Sequence, residues 1–166
     1  MNAIPDEYVT QYSGDLTRLC MSLCGNRVDA EDLFQDTWLK AARHFKCYQP
    51  DKPFLNWLFT ICVNTFKNSV NAAYRQRRYT FASDAEREMF FAAIPDTTAE
   101  NTDEYAALHE AIGKLTKKQR AVVALFYFRD FSISDIAEML KIPEGTVKSR
   151  LSAARAEIKR RLENEA

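Results

Sequence analysis

The chain has 166 residues, enough for one ordinary domain or two small ones. Apolar residues make up 46%, which supports a packed core and excludes general disorder. Its 23 basic and 23 acidic residues cancel, but they cluster by sign along the chain, so overall neutrality does not exclude a nucleic-acid partner.

Only four Gly and five Pro are spread through the sequence, and apolar residues recur at helical spacing, which predicts an all-α protein. Residues 29 to 36 hold Asp29, Glu31, Asp32 and Asp36 with no base. Residues 64 to 79 hold Lys67, Arg75, Arg77 and Arg78 with no acid. Residues 95 to 104 carry four acids, and residues 141 to 161 carry seven bases against Glu144 and Glu157. Cys20, Cys24, Cys47 and Cys62 form no CxxC pair and no secreted disulfide framework, so they read as free thiols, mainly buried, in a reducing, cytoplasmic compartment. Asp6 and Glu7 interrupt any signal peptide, and no apolar run approaches the roughly 20 residues that span a membrane.

In chain order, the first helix is predicted over residues 6 to 24, with Val9, Tyr12, Leu16, Leu19, Cys20 and Leu23 inside and Gly25-Asn26 ending it. The second begins near Asp29. Leu33, Phe34, Thr37, Trp38 and Ala41 face inward, while Asp29, Asp32 and Asp36 take another side. It fades near Cys47-Tyr48-Gln49-Pro50. With Pro53 in its first turn and Asp51 as a cap, the third helix is predicted over residues 53 to 78. Its buried stripe is Trp57, Leu58, Ile61, Cys62, Thr65, Phe66, Ser69 and Val70. The opposite stripe, Asn56, Thr60, Asn64, Lys67, Asn68, Asn71 and Arg75, is polar throughout and grows basic. Both a solvated surface and a helix laid along nucleic acid fit that stripe.

Order weakens over residues 79 to 102, and Asp96-Thr97-Thr98-Ala99-Glu100-Asn101 marks the seam. A helix over residues 103 to 112 opens the second half, and Thr116 with Gln119 has capping-box spacing before Ala121, Val122, Leu125 and Phe126. Ser132 caps another helix with Ile136, Ala137 and Leu140 inside. After Lys141-Ile142-Pro143-Glu144-Gly145, the last helix runs from Thr146 to about residue 163 on the stripe Val147, Leu151, Ala154, Ile158 and Leu162. This pair reads as helix-turn-helix: Ile142 and Val147 plug the angle, Thr146 caps, and Lys148, Ser149, Ser152 and Arg155 project, with Arg150 at the flank. Lys159, Arg160 and Arg161 extend the positive face.

Two blocks carry a family resemblance. One is Asp29-Ala30-Glu31-Asp32-Leu33-Phe34-Gln35-Asp36-Thr37-Trp38, followed by Pro53-Phe54-Leu55-Asn56-Trp57-Leu58-Phe59-Thr60-Ile61. The other begins at Leu115-Thr116, passes Asp135-Ile136-Ala137-Glu138 and ends in PEGTVKSRLSAAR. The chain resembles an extracytoplasmic-function (ECF) sigma factor of the sigma-70 family. The resemblance implies a sigma-2 domain at 6–79, a linker at 80–102 and a sigma-4 domain at 103–164. It implies an alternative sigma factor that binds bacterial core RNA polymerase, chiefly the β′ clamp helices and also the β flap, and directs it to promoter DNA. It also implies an anti-sigma partner.

By the same resemblance, Asp29, Glu31, Asp32, Gln35, Asp36 and Trp38 meet polymerase. Asn56, Asn64, Lys67, Asn68, Asn71, Arg75 and Arg78 face the −10 element, and Thr146, Lys148, Ser149, Arg150, Ser152 and Arg155 face the −35 element. The sequence departs from the family at Phe66 and Asn68, where many relatives carry a small apolar residue and an aspartate, and at Lys141, where relatives often have glycine. No catalytic constellation, cofactor motif or metal-ligand pattern is present, so the chain is expected to be no enzyme. A free-standing DNA-binding regulator and a helical adaptor that binds no DNA are the rival classes.

Overall fold

The computed structural model describes residues 3–68 and 103–164, which fall in two compact units, residues 1–95 and 96–166. Among the described residues all regular structure is helical.

The first unit packs α1 (Asp6–Cys24), α2 (Arg27–His44) and α3 (Phe54–Asn68) against one another, with a 3-10 turn at Phe45–Cys47. Gly25 ends α1 in the left-handed region, φ 73°, and its amide donates to the Met21 carbonyl at 3.0 Å. Asn26 then caps α2: its side chain accepts from the Asp29 amide at 2.9 Å, and its Nδ2 donates to Asp29 Oδ2 at 3.0 Å. The reciprocal bond starts α2 two residues ahead of Asp29. The core is Leu16, Leu19, Cys20 and Leu23 of α1, Ala30, Leu33, Phe34 and Ala41 of α2, and Leu58, Phe59, Cys62, Val63 and Phe66 of α3. Phe59 and Val63 have no exposure, whereas Trp57 and Ile61 are half-buried, so the inner face of α3 is turned from the predicted stripe. The predicted extension of this helix past Asn68 lies outside the described residues.

Phe54 is the hub of an aromatic cluster that fixes the segment before α3. Its ring centroid lies 4.8 Å from Tyr8, 5.1 Å from Tyr12, 5.3 Å from Tyr48 and 5.5 Å from Trp57. Tyr48 Oη donates to the Lys52 carbonyl at 2.7 Å, and Pro53 leads the helix by accepting from the Trp57 amide. A cluster of edge and tilted contacts of this kind adds to simple burial.

The second unit comprises α4 (Asp103–Gly113), α5 (Lys117–Val123) running into a π-helical turn at Ala124–Phe128, α6 (Ile133–Leu140) and α7 (Glu144–Asn164). The capping box forms as the spacing predicts: the Gln119 amide donates to Thr116 Oγ1 and the Thr116 amide to Gln119 Oε1, each at 3.2 Å. Arg120 Nη2 donates to the Gly113 and Leu115 carbonyls at 2.6 and 3.2 Å, tying α5 to the end of α4. Ser132 Oγ caps α6 by accepting from the Asp135 amide at 3.0 Å.

Lys141 ends α6 at φ 56°, ψ 47°, with the Lys141 amide on the Glu138 carbonyl and the Ile142 amide on the Ala137 carbonyl at 3.0 Å. This paired closure sets the turn of the helix-turn-helix. Pro143 then supplies the first acceptor of α7, taking the Thr146 and Val147 amides at 3.0 and 3.2 Å. The helix therefore begins at Glu144, and Thr146 sits inside its first turn instead of capping it. Val122, Leu125, Ile136, Val147, Leu151 and Ala154 close the core.

A left-handed residue with a Cβ carries strain that glycine avoids. Lys141→Gly is expected to stabilise the second unit by about 0.5–1 kcal/mol, after the extra backbone entropy glycine loses on folding. A thermal melt whose midpoint does not rise would contradict this account of the turn.

Candidate functional site

Four of the six residues predicted for the acidic face of α2, Asp29, Asp32, Gln35 and Asp36, are half-exposed on one side of the helix. Glu31 is not with them: it is 6% exposed, and its Oε1 accepts from Arg27 Nε at 3.1 Å. Trp38 also turns toward the bundle, stacked on Phe54 at 6.3 Å and 24°, with its indole N–H buried and without a hydrogen-bond partner. Two residues outside the predicted set complete the surface. Val28 is 68% exposed and Leu39 51% exposed. With Asp32 and Gln35 they follow the spacing i, i+4, i+7, i+11, which lines up one ridge of a helix. The ridge reads apolar, acidic, polar, apolar. The signal in the sequence was two apolar residues off the core stripe, in step with the acidic row.

On α3 the polar stripe holds its predicted side. Asn56 and Thr60 are half-buried, with Thr60 Oγ1 donating to the Asn56 carbonyl at 2.7 Å. Asn64 and Asn68 are exposed, and Lys67 is half-buried beside them. Phe66 is a core residue at 5% exposure, so the aromatic ring at that departure from the family packs inward. Asn71, Arg75 and Arg78 lie outside the described residues.

On α7, Lys148, Ser149, Ser152 and Arg155 are exposed. Lys148, Ser152, Arg155 and Lys159 repeat the i, i+4, i+7, i+11 spacing and form one ridge, with Ser149 on its flank. Arg150 is half-buried, and its Nη1 is buried without a hydrogen-bond partner, which separates it from the ridge. Thr146 is half-buried, and its amide donates to the Pro143 carbonyl, so that amide is not open to an anion. Arg155 Nε donates to Tyr127 Oη, and its guanidinium carbon lies 5.5 Å from the Tyr127 ring centroid. Arg160 and Arg161 pair with Glu157 at 2.7 and 2.8 Å, so the expected extension of the positive face is partly neutralised. The Arg160 hydrogen bond, more than any other influence, holds the Glu157 carboxyl below its usual range.

The cysteines do not converge. Cys20 and Cys62 are buried with sulfurs 3.7 Å apart, Cys24 is half-buried and Cys47 exposed. Burial pushes the Cys20 thiol well above its ordinary range. No metal-ligand cluster is found among the described residues, and no helix among them is long and apolar enough to cross a membrane.

A helix-turn-helix with a basic ridge, joined in one chain to a second helical unit with an amide-rich face and an acidic-apolar ridge, defines a transcription protein of helical, two-unit type. Comparison with known proteins makes the class specific. The sigma-70 region 2 family model matches residues 8–79, and the sigma-70, region 4 model matches residues 105–158. The ECF RNA polymerase sigma factor EcfG of Rhodopseudomonas palustris is 33% identical over 144 residues, covering 86% of this chain and 76% of that protein. The ECF sigma factor SigE of Mycolicibacterium smegmatis is 32% identical over 154 residues, covering 93% of this chain; the chain spans 60% of that relative. The solved structure of the sigma factor RpoE with the anti-sigma factor NepR from Bartonella quintana superposes with a TM-score of 0.67 at 26% identity, covering 95% of this chain and 96% of RpoE. The chain belongs to the ECF sigma factors of the sigma-70 family. It is an alternative sigma factor directing promoter-specific transcription initiation, and not an enzyme.

Proposed function

We propose that the exposed ridge of α2 docks this sigma factor on core RNA polymerase, with the β′ clamp helices as its main partner and the β flap as a second contact of the C-terminal unit. The polar face of α3 then reads and helps melt the −10 element, and the ridge of α7 reads the −35 element. The corresponding domains are 6–79 and 103–164, with 80–102 as the linker. The single observation that carries the docking assignment is the exposure of Val28 and Leu39 on the ridge of Asp32 and Gln35. Exposed apolar residues at both ends of an acidic and polar row fit a partner surface that is basic at its centre and apolar to either side.

The mechanism is assembly. Nucleotide chemistry belongs to the polymerase. Docking tethers two weak DNA readers to one enzyme and raises their effective concentration at a paired site. Lys148, Arg155 and Lys159 supply salt-dependent phosphate attraction. Lys148, Ser149 and Ser152, near the start of α7, discriminate bases by about 1–3 kcal/mol for a good contact. Unpaired −10 bases are held outside the stack by the amides of α3, as single strands generally are. Asn68, exposed on α3 where many relatives carry an aspartate, gives this chain a −10 preference of its own, while Phe66 supports that face from the core. RpoE was solved with an anti-sigma factor, and a protein of that kind is the natural holder of this chain in the cytoplasm.

The test is a titration of fluorescently labelled protein with sigma-free core polymerase, followed by anisotropy at physiological salt. Saturable binding competed by another sigma factor is expected, with the Asp32→Ala/Asp36→Ala double variant weaker by about tenfold. No binding by folded protein, or no loss in the double variant, sinks the assignment of that ridge.

A further inference from the structure

Arg155 differs from its neighbours on the α7 ridge. Among the described residues Lys148, Ser152 and Lys159 make no side-chain hydrogen bond or ion pair to another helix, whereas Arg155 is joined to Tyr127, 28 residues earlier. Tyr127 lies in the π-helical turn that ends α5 and is 48% exposed. Such turns are uncommon and concentrate at functional positions. The ring contributes twice: its hydroxyl accepts from Arg155 Nε, and the guanidinium lies within cation–π range of its face. A free arginine on a helix surface samples many rotamers, and these must be given up when it binds. Engaging Nε from one side leaves the two terminal nitrogens as a planar pair of donors, the geometry that grips a phosphate with two hydrogen bonds.

The position along the helix indicates which part of DNA this pair meets. Base edges are met by the first turns of a recognition helix, where Lys148, Ser149 and Ser152 stand. Arg155 lies further along, toward the rim of a groove, where phosphate contacts fix register and depth of insertion. We infer that Tyr127 is a positioning residue for Arg155, holding its guanidinium to grip a backbone phosphate of the −35 duplex and so setting the register of the base-reading turns of α7. The inference rests on the proposed −35 reading of α7. It adds a residue outside the recognition helix, on a segment that precedes the helix-turn-helix, to the machinery of promoter selection.

The experiment is a double-mutant cycle with full-length protein bound to core polymerase. The probe is a duplex selected from a randomised pool by the wild-type complex, and affinity is measured across a salt series. Arg155→Ala should weaken binding and lower the salt slope by about one. Tyr127→Phe, which keeps the ring and removes the hydroxyl, should weaken binding about two- to tenfold with the slope unchanged, because the charge remains while its ordering is lost. In an Arg155→Ala background Tyr127→Phe should do nothing further. Arg155→Lys keeps the charge without Nε, and it should show the Tyr127→Phe loss and mask that substitution. Equal losses from Tyr127→Phe in both backgrounds overturn the inference. So does tighter binding by Tyr127→Phe, which would mean that the tyrosine withholds the arginine. If Lys148→Ala and Arg155→Ala both leave DNA binding intact, the −35 reading of α7 itself fails, and the inference with it. Unchanged thermal midpoints exclude misfolding as the cause of any loss.

Discussion

Phe59→Ala is expected to unfold the N-terminal unit. Phe59 is the largest of the side chains with essentially no exposure, and it stands mid-helix on α3. Removing a buried phenylalanine ring costs about 3–5 kcal/mol, the sum of lost transfer energy and the cavity left behind. A small three-helix unit has about 3–10 kcal/mol in all at the usual stability per residue. Between about a third and all of it is therefore lost. Both tryptophans, Trp38 and Trp57, lie in this unit, so tryptophan fluorescence in a urea titration reports on it alone. The wild-type transition should move to much lower urea or vanish, while the helix-turn-helix keeps its far-ultraviolet helical signal. Phe59→Leu, which preserves more of the volume, should fall between. A urea midpoint unmoved by Phe59→Ala would mean that the core is not centred on this ring.

The second large effect is on binding and leaves the fold alone. Leu39→Lys should weaken core polymerase binding about 30-fold with no change in thermal midpoint. Leu39 is 51% exposed, so the substitution opens no cavity, and lysine is as good a helix former as leucine. What is lost is an exposed apolar contact at the end of the ridge, and in the proposed docking what is gained is a positive charge facing a basic partner. Truncation of an interface hot spot costs about 2 kcal/mol or more, and the introduced like charge adds to the loss. Anisotropy with sigma-free polymerase reads it directly. Equal affinity for Leu39→Lys and wild type would remove Leu39 from the contact.

Much of the architecture was legible because its signals are local. Thr116 and Gln119, three residues apart, name a capping box from spacing alone, and it forms as read. Gly25 and Ser132 mark helix ends because each supplies a conformation or an acceptor that few residues can. Other positions depended on tertiary context. Phe59 is buried because α3 packs against both α1 and α2, which widens its apolar arc beyond the single stripe that one partner would need. Glu31 belongs to the acidic run by composition, but Arg27, one turn earlier, draws it inward. Residues Glu144 and Gly145 read as turn, yet Pro143 can lead a helix with its carbonyl, and the helix starts at once.

The side of α7 proposed to face DNA was legible as a basic row, and the structure changes its weighting. Glu157 takes up part of the charge of Arg160 and Arg161, and Tyr127 engages Arg155. The Glu157 pairs follow helical spacing, at i+3 and i+4, whereas the Tyr127 partnership joins residues 28 apart and does not. Val28 and Leu39 were passed over for a different reason. They lie off the core stripe, and a single apolar residue on a helix surface carries no meaning until its exposure and its neighbours on the ridge are seen.

The four thiols of the first unit differ in one further respect: how far the protein must open before each can be reached. Cys47 is already at the surface, Cys24 is half covered, and Cys20 and Cys62 lie sealed between α1 and α3. Only the thiolate reacts with an alkylating reagent, and burial suppresses both its formation and its access. The unit thus carries its own clock. The time taken to modify Cys47 measures chemistry alone, and the extra delay at the sealed pair measures how often the three helices part. That delay would lengthen on any partner whose grip steadies the bundle, so a docking event on α2 becomes audible at sulfur atoms that never touch it.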